Sequence, residues 1–304
     1  MKIFVTGVNG QLGYDVVNES LNRGYKVVSS DVSNCYSGLN ELQSGASYVS
    51  LDITDSKAVK DVIVREIPDV VVHCAAWTAV DAAEESENIQ KAYDVNAIGT
   101  KNIAEACKIA NCKMIYISTD YVFDGQGENP WNADFKGFKP LNQYGKTKLQ
   151  GERFVEEILE KYYIVRISWV FGLNGNNFVK TMLKVGKNHD VVRVVNDQIG
   201  SPTYTFDLSK LLIDMAEVEK YGYYHATNSG EYISWYDFCC EIYRLANYNT
   251  KVIPVTTEEY GKTKAQRPFN SRLDKSKLLK NGFKELPHWK QSLNDYLNKI
   301  IKGE

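Results

Sequence analysis

Residues 2–13 read KIFVTGVNGQLG. A short β-rich run, KIFVT, passes straight into Gly7, Gly10 and Gly13, spaced G-x-x-G-x-x-G. A strand that turns at once into a helix needs residues without side chains at the turn. A side chain at Gly7 or Gly10 would block the turn itself, or would keep a pyrophosphate from the backbone N–H groups at the helix N-terminus. Gly13 lets the helix pack close to the strand. The stretch therefore predicts the first β–α unit of a dinucleotide-binding domain, with Gly7, Gly10, Gln11, Leu12 and Gly13 around the pyrophosphate.

Outward from this unit the chain keeps the same rhythm. Continuous apolar runs at 2–6, 25–31, 46–52, 69–73 and 113–118 read as strands buried on both faces. Helical patterns lie between and after them, near 11–23, 55–66, 84–110 and 143–161, and a further strand is expected over 162–170. Strand–helix alternation at this spacing means right-handed βαβ units and an α/β protein with a Rossmann-type doubly wound parallel sheet. After residue 170 the rhythm loosens. VVRVV suggests a strand, and helices are expected near 206–217, 234–246 and 286–301. The expected organisation is a dinucleotide-binding domain over 1–170 carrying the catalytic residues. A smaller C-terminal α/β substrate-binding region over 171–304 is interleaved with it, without a clean linker.

The bulk composition narrows the function classes. The chain has 304 residues, 43% hydrophobic and 24% charged, with net charge -2. This is an ordinary globular balance with no block of basic residues, so nucleic acid is not an expected partner. No apolar run approaches the roughly 20 residues that span a bilayer, so no membrane is expected. MKIFVTGVNG reaches a glycine before a signal-peptide apolar segment can form. Six scattered cysteines form no C-x-x-C pair and read as apolar fillers in a reducing compartment. The expected location is the cytoplasm.

Further strand ends extend the cofactor reading. Asp31 ends the second strand, 18 residues after Gly13. An acidic side chain there either accepts hydrogen bonds from the adenosine ribose or is simply a solvated strand end. In the first case it repels a 2′-phosphate, and no Arg follows at once. The cofactor is therefore NADH or NADPH, with NADH favoured. Asp52 and Ile53 close the next strand, where Asp52 can reach the adenine edge. In HCAAWT (73–78), Ala75 and Ala76 are small enough to leave room for the cofactor beside Trp77.

The pentapeptide YGKTK occurs twice, with Tyr144 and Lys148 and again with Tyr260 and Lys264. Tyr and Lys four apart share a helix face. Only the first copy follows a parallel strand that delivers a hydroxyl, Thr119, toward the ligand crevice. The second copy lies outside the alternating region and reads as a solvated turn or short helix. A carbonyl reduction needs a proton on oxygen, and a phenol with a pKa near 10 releases one poorly at neutral pH. A nearby Lys148 ammonium is expected to lower that value. Thr119 is expected to hold the substrate oxygen. Asn96 either closes a water-mediated relay near the lysine or bonds backbone as an ordinary helix residue.

The glycine motif, Asn96, Thr119 and Tyr144-x-x-x-Lys148 together resemble the extended short-chain dehydrogenase/reductases. The stretches STDYVFDG (118–125), PLNQYGKTKLQGE (140–152), RISWVFG (166–172), NNFVKTML (176–183), NDQIGSPT (196–203) and RPFNSRLD (267–274) resemble the dTDP-4-dehydrorhamnose reductases among them. The resemblance runs from residue 1 to about 295. It implies NAD(P)H-dependent reduction of the C4 ketone of a dTDP-sugar, with Thr119, Tyr144 and Lys148 catalytic. It also implies Asp120, Tyr121 and Trp169 near the sugar nucleotide. Trp169 either stacks a base or sugar or packs in the core. Arg267 either pairs with the diphosphate through its planar fork or makes a structural ion pair.

The chain departs from that family at two points. EEYGKTKAQ stands where relatives often have a Pro-rich stretch. Asp15 stands where some have Glu, a position tied to a magnesium-bridged dimer; no metal is expected here, and a homodimer stays open. Two other readings compete. A sugar-nucleotide dehydratase would carry Glu where Tyr121 stands, and an epimerase shares the superfamily. The regulatory subunit of methionine adenosyltransferase resembles the chain in YGKTK and AQRP, but lacks the SWV and NDQIGSPT segments present here as Ser168–Val170 and Asn196–Thr203.

Overall fold

The computed structural model describes residues 1–261 and 263–302. Strands β1 (Lys2–Thr6), β2 (Lys26–Asp31), β3 (Ala46–Ser50), β4 (Val70–His73), β5 (Lys113–Thr119) and β6 (Tyr162–Ile167) form one parallel sheet with a seventh strand, Gly222–His225. From one edge the order is Gly222–His225, β6, β5, β4, β1, β2, β3. The chain therefore reverses direction across the sheet between β1 and β4. In a doubly wound sheet that reversal opens a crevice at the strand C-termini, where ligands bind.

Alternate residues of each strand feed two cores. Ile3, Val5, Val70, Val72, Ile115 and Val165 pack on one face with α1 (Gln11–Asn22) and the helix Thr205–Ala216. Phe4, Val71, Met114, Tyr116 and Ile164 pack on the other with α2 (Ser56–Glu66), α4 (Thr100–Ala110) and α5 (Gln143–Ile158). Burial on both faces explains the continuous apolar runs. Truncating a side chain as enclosed as Ile115 to Ala costs about 2–5 kcal/mol.

Beyond residue 170 the structure is interleaved with the first part. Helix Thr205–Ala216 covers the sheet beside α1, and Gly222–His225 adds the edge strand. The remainder builds its own core from Phe171, Tyr204, Phe238, Tyr243, Trp289 and Tyr296. The strand expected over VVRVV is Val191–Val195, and it pairs in parallel with Lys251–Val255. The expected helix over 286–301 is instead a short strand, Leu286–His288, followed by the helix Trp289–Lys302.

Two local differences bear on the site. The strand expected over 162–170 stops at Ile167, because Trp169 turns into the left-handed region at φ 50°. Val170–Phe171 then pairs elsewhere, with Thr203–Tyr204. The helix expected over 84–110 is divided into a turn at Ala82–Glu84, α3 (Ser86–Tyr93), a π-helical stretch Asp94–Gly99 and α4. A π-helical turn carries an extra residue per turn and so re-aims side chains. Here it aims Asn96 at the loop after β4.

Candidate active site

One cleft of about 970 Å3 runs along the C-terminal ends of the parallel strands. Its lining includes the expected cofactor residues Gly7, Gly10, Gln11, Leu12, Gly13, Asp31, Asp52, Ile53, Ala75, Ala76 and Trp77. Thr119, Asp120, Tyr121, Tyr144, Lys148 and Trp169 line the same cleft. Arg267 does not.

At the first end, the glycines are required by space. Gly7 sits at φ 70°, and a Cβ there would lie 2.6 Å from the Ala75 nitrogen. A Cβ at Gly13 would lie 2.2 Å from the Gly7 oxygen. The turn therefore forms with bare backbone, and α1 starts at Gln11 with no side chain capping it. The residues of that first turn line the cleft, and the free N–H groups of a helix start suit an anionic phosphate. These residues fit a dinucleotide. At the end of β2, Asp31 Oδ2 accepts from the Asn9 N–H at 3.1 Å, which holds the carboxylate beside the glycine turn. Asp52 Oδ1 caps the following turn through the Thr54 N–H and hydroxyl, at 2.9 and 2.8 Å.

At the other end, α5 lies unusually close to β5. Asn142 caps it by accepting from the Gly145 N–H at 2.8 Å. A Cβ on Gly145 would lie 2.3 Å from the Tyr121 oxygen, and one on Gly151 would lie 2.4 Å from the Tyr116 hydroxyl. The two glycines let the helix settle on the strand, which brings Tyr144 and Lys148 to Thr119 and Ile117. Lys148 Nζ donates to the Ile117 carbonyl oxygen at 2.7 Å and lies 4.2 Å from the Tyr116 ring centroid. The Tyr144 ring meets Tyr121 edge to face, with centroids 5.5 Å apart.

The electrostatics differ from the sequence expectation. Burial pushes the Lys148 ammonium down to about 7, against the pull of Glu152. Burial and the Asp120 carboxylate hold the Tyr144 phenol above 10, and its contact with the Thr119 hydroxyl works the other way. The charge felt by the phenol is thus Asp120's rather than the lysine's. Asp120 itself is pushed up to about 6 by burial.

The model over residues 1–301 that this chain matches is that of the RmlD substrate binding domain. The chain belongs to this family. It is 37% identical to the dTDP-4-dehydrorhamnose reductase of Aggregatibacter actinomycetemcomitans, over 97% of each chain. The crystal structure of a dTDP-4-dehydrorhamnose reductase from Clostridium acetobutylicum is similar at TM-score 0.90, with 42% identity over 99% of this chain and 100% of that one. The reductase from Bacillus anthracis, solved in complex with NADP, is similar at TM-score 0.88, with 39% identity over 98% and 99% of the two chains.

Within the RmlD family frame, two of the residues singled out in the sequence make definite contacts inside the protein. Arg267 forms a two-point pair with Asp81, at 3.0 and 2.6 Å. Asn96 accepts from the Trp77 N–H at 2.8 Å and donates to the Trp77 carbonyl and to Thr147 at 3.2 and 3.0 Å. Its side chain clamps the loop after β4 to α5. Trp169 lines the cleft and stacks on Trp235, with centroids 3.8 Å apart.

Tyr260 and Lys264 of the second YGKTK copy do not line the cleft. Thr257–Tyr260 is one helical turn, ended by Gly261 at φ 107°, and Tyr260 is exposed. Lys264 pairs with Glu85 on the surface. Residue 262 lies outside the described residues.

Several site residues escaped the sequence reading. Asn174 donates to the Asn9 carbonyl at 2.7 Å, and Asn177 donates to Gln11 Oε1 at 3.1 Å. These bonds fasten the loop after Phe171 onto the glycine turn. Thr6 bonds His73 at 2.7 Å and accepts from the Ala75 N–H at 3.1 Å. Single polar residues in loops carry no periodic signal, so only their place in the fold reveals them.

Proposed function

We propose that this protein reduces the C4 ketone of dTDP-4-dehydro-L-rhamnose to give dTDP-L-rhamnose, using NADH or NADPH. The observation that carries the reading is one cleft with a phosphate-fitting glycine turn at one end and Thr119, Tyr144 and Lys148 at the other. Membership of a family whose relatives are dTDP-4-dehydrorhamnose reductases supplies the substrate class.

A reduced nicotinamide, when bound, supplies the two electrons and the hydrogen that reach the sugar carbon. Tyr144 gives its hydroxyl proton to the ketone oxygen. With its pKa held above 10, the phenol is protonated across the neutral range, which is the form a donor needs. Thr119 fixes the oxygen in place. Lys148 holds the nicotinamide ribose through its amine, which donates in either charge state. Gly7, Gly10, Gln11, Leu12 and Gly13 hold the pyrophosphate. Asp31 takes the adenosine ribose, Asp52 and Ile53 the adenine, and Ala75, Ala76 and Trp77 flank the cofactor. Asp120, Tyr121 and Trp169 face the sugar nucleotide, and residues 171–304 form mostly the substrate-binding region.

The test is a coupled assay with dTDP-4-dehydrorhamnose generated in situ and NADH or NADPH followed by absorbance. Consumption of the dihydronicotinamide is expected. Tyr144→Phe should lose on the order of 10²–10⁴ in rate while still binding cofactor, and Tyr260→Phe should match the wild type. A wild type that binds NAD(H) yet never consumes it with this ketone would instead favour the regulatory-subunit reading.

A further inference from the structure

Strand β5 ends at Thr119, and the next residue, Asp120, is met from the far side by a hydroxyl of the C-terminal region. Ser271 donates to Asp120 Oδ2 at 2.5 Å, and Thr119 donates to Asp120 Oδ1 at 3.0 Å. The Tyr121 N–H donates to Thr119 Oγ1 at 3.3 Å. Ser271, Asp120 and Thr119 are all buried.

A threonine hydroxyl has a single proton. While Asp120 is ionised, the carboxylate takes that proton, and Thr119 offers only lone pairs to its other neighbours. When Asp120 is protonated, Thr119 is released to donate to a ketone oxygen. The Tyr144 phenol also becomes a better acid, because the charge that raises its pKa has gone. Both changes favour reduction.

We infer that Ser271 is a positioning residue for the reduction: by bonding Asp120 from the C-terminal region, it sets the direction in which the Thr119 hydroxyl donates. The inference rests on the reductase reading above.

The fold places Ser271 firmly. Asn270–Ser271 pairs in parallel with Ile199–Gly200, and the Asn270 N–H donates to the Gly125 carbonyl at 2.8 Å. A Cβ on Gly200 would lie 2.9 Å from Ser271 Cβ and 2.9 Å from the Trp169 ring. One glycine therefore seats both Ser271 and the tryptophan that lines the substrate end. The titratable groups facing Asp120 are Tyr121 on its own turn, Tyr144 on α5 and, beyond Tyr121, the Arg267–Asp81 pair. Burial raises Asp120 to about 6, and the bonds from Ser271 and Thr119 restrain that rise. Loss of the Ser271 hydroxyl should lift the carboxyl further, by about one unit.

The experiment compares wild type, Ser271→Ala, Ser271→Cys and Asp120→Asn. Carboxyl titration of Asp120 is followed by 13C NMR in the cofactor-free protein, with Asp120→Asn as the assignment control. The pH profile of kcat/KM is measured in parallel, and the limb absent from Asp120→Asn is Asp120's. The expected wild-type limb falls as pH rises through about 6. In Ser271→Ala the midpoint and the limb should both move up by about one unit, with Ser271→Cys between. An unmoved midpoint overturns the inference, even if activity drops. A midpoint that moves while the limb stays also overturns it, since Ser271 would then be structural alone. A wild type without turnover overturns the reductase reading and, with it, the role in reduction. The NMR midpoints tell that failure apart from a failure of the Ser271–Asp120 link.

Discussion

Lys148 Nζ donates to the carbonyl oxygen of Ile117 at 2.7 Å, so the cation of α5 is tied to the backbone of β5 two residues before Thr119. A carbonyl dipole is a weak substitute for water. Glu152, one turn further along α5, attracts the ammonium, yet burial outweighs it and the amine falls to about 7. Glu152 is largely committed elsewhere, to Arg166 at 2.8 Å and to the Ser118 hydroxyl at 2.5 Å.

The sign of the resulting pH dependence follows from linkage. Between about 7 and 10.5 the unfolded chain keeps the lysine proton and the folded chain has lost it. The unfolded state binds more protons there, so stability rises with pH across that window. Below 7 the folded state carries a buried ammonium, and the whole cost is felt. Lys148→Met, close in shape and uncharged, should therefore be more stable than wild type by the widest margin near pH 6, and the margin should shrink toward pH 10. Urea unfolding at a series of pH values measures it. A margin independent of pH would mean that Lys148 is not desolvated as the structure has it.

The glycine turn gives a prediction with an internal control. Gly7 and Gly24 both have positive φ, 70° and 76°. At Gly7 an added Cβ meets the Ala75 backbone at 2.6 Å, whereas at Gly24 it meets nothing within 4 Å. Gly24→Ala should bear only backbone strain, about 1 kcal/mol, and bind NADH normally. Gly7→Ala bears strain and a clash with rigid backbone in the cofactor site, so it should lose NADH binding by tenfold or more. Calorimetric titration of both variants decides it. Equal affinities would remove the steric reading of the motif.

Asp31 carries the expected preference between the two dinucleotides. Its Oδ2 is held by the Asn9 N–H, while the carboxylate lines the cleft. A fixed negative charge there disfavours a 2′-phosphate by repulsion. Asp31→Ala should raise the ratio of kcat/KM for NADPH over NADH by about tenfold, mainly through KM for NADPH. An unchanged ratio would show that the preference is set elsewhere.

Much of this was legible in the sequence because it is periodic or sterically forced. Strands buried on both faces leave continuous apolar runs, and Gly7 and Gly13 have no room for a side chain. The same holds for Tyr144 and Lys148, whose spacing puts them on one helix face after a strand that ends in a hydroxyl. What escaped is aperiodic. The break after Ile167 follows from one left-handed residue, Trp169, inside an apolar run that reads as a longer strand. The π-helical stretch at Asp94–Gly99 hides in an unbroken helical pattern. Ser271 reaches Asp120 across 151 positions, and no local pattern records such a contact. The lysine–tyrosine electrostatics also inverted, because spacing on a helix says nothing of how much water each group loses.

Arg267 is the remaining residue whose two readings make different predictions. In the structure its guanidinium pairs with Asp81, the two side chains being 26% and 44% exposed. A pair so open to solvent contributes about 0–1 kcal/mol to stability, so neither partner should matter much for folding. If the pair is only structural, Arg267→Ala and Asp81→Ala should alter KM for the sugar nucleotide alike and weakly. If Arg267 also turns to a substrate diphosphate, Arg267→Ala should raise KM by about tenfold or more, whereas Asp81→Ala, which frees the guanidinium, should leave KM equal to wild type or lower. Lys in place of Arg should restore little, because a point charge cannot reproduce a two-point contact with phosphate oxygens. The double variant then closes the cycle: with Arg267 already gone, removing Asp81 should have no further effect on KM. Equal, small effects of both single substitutions would confine Arg267 to the ion pair.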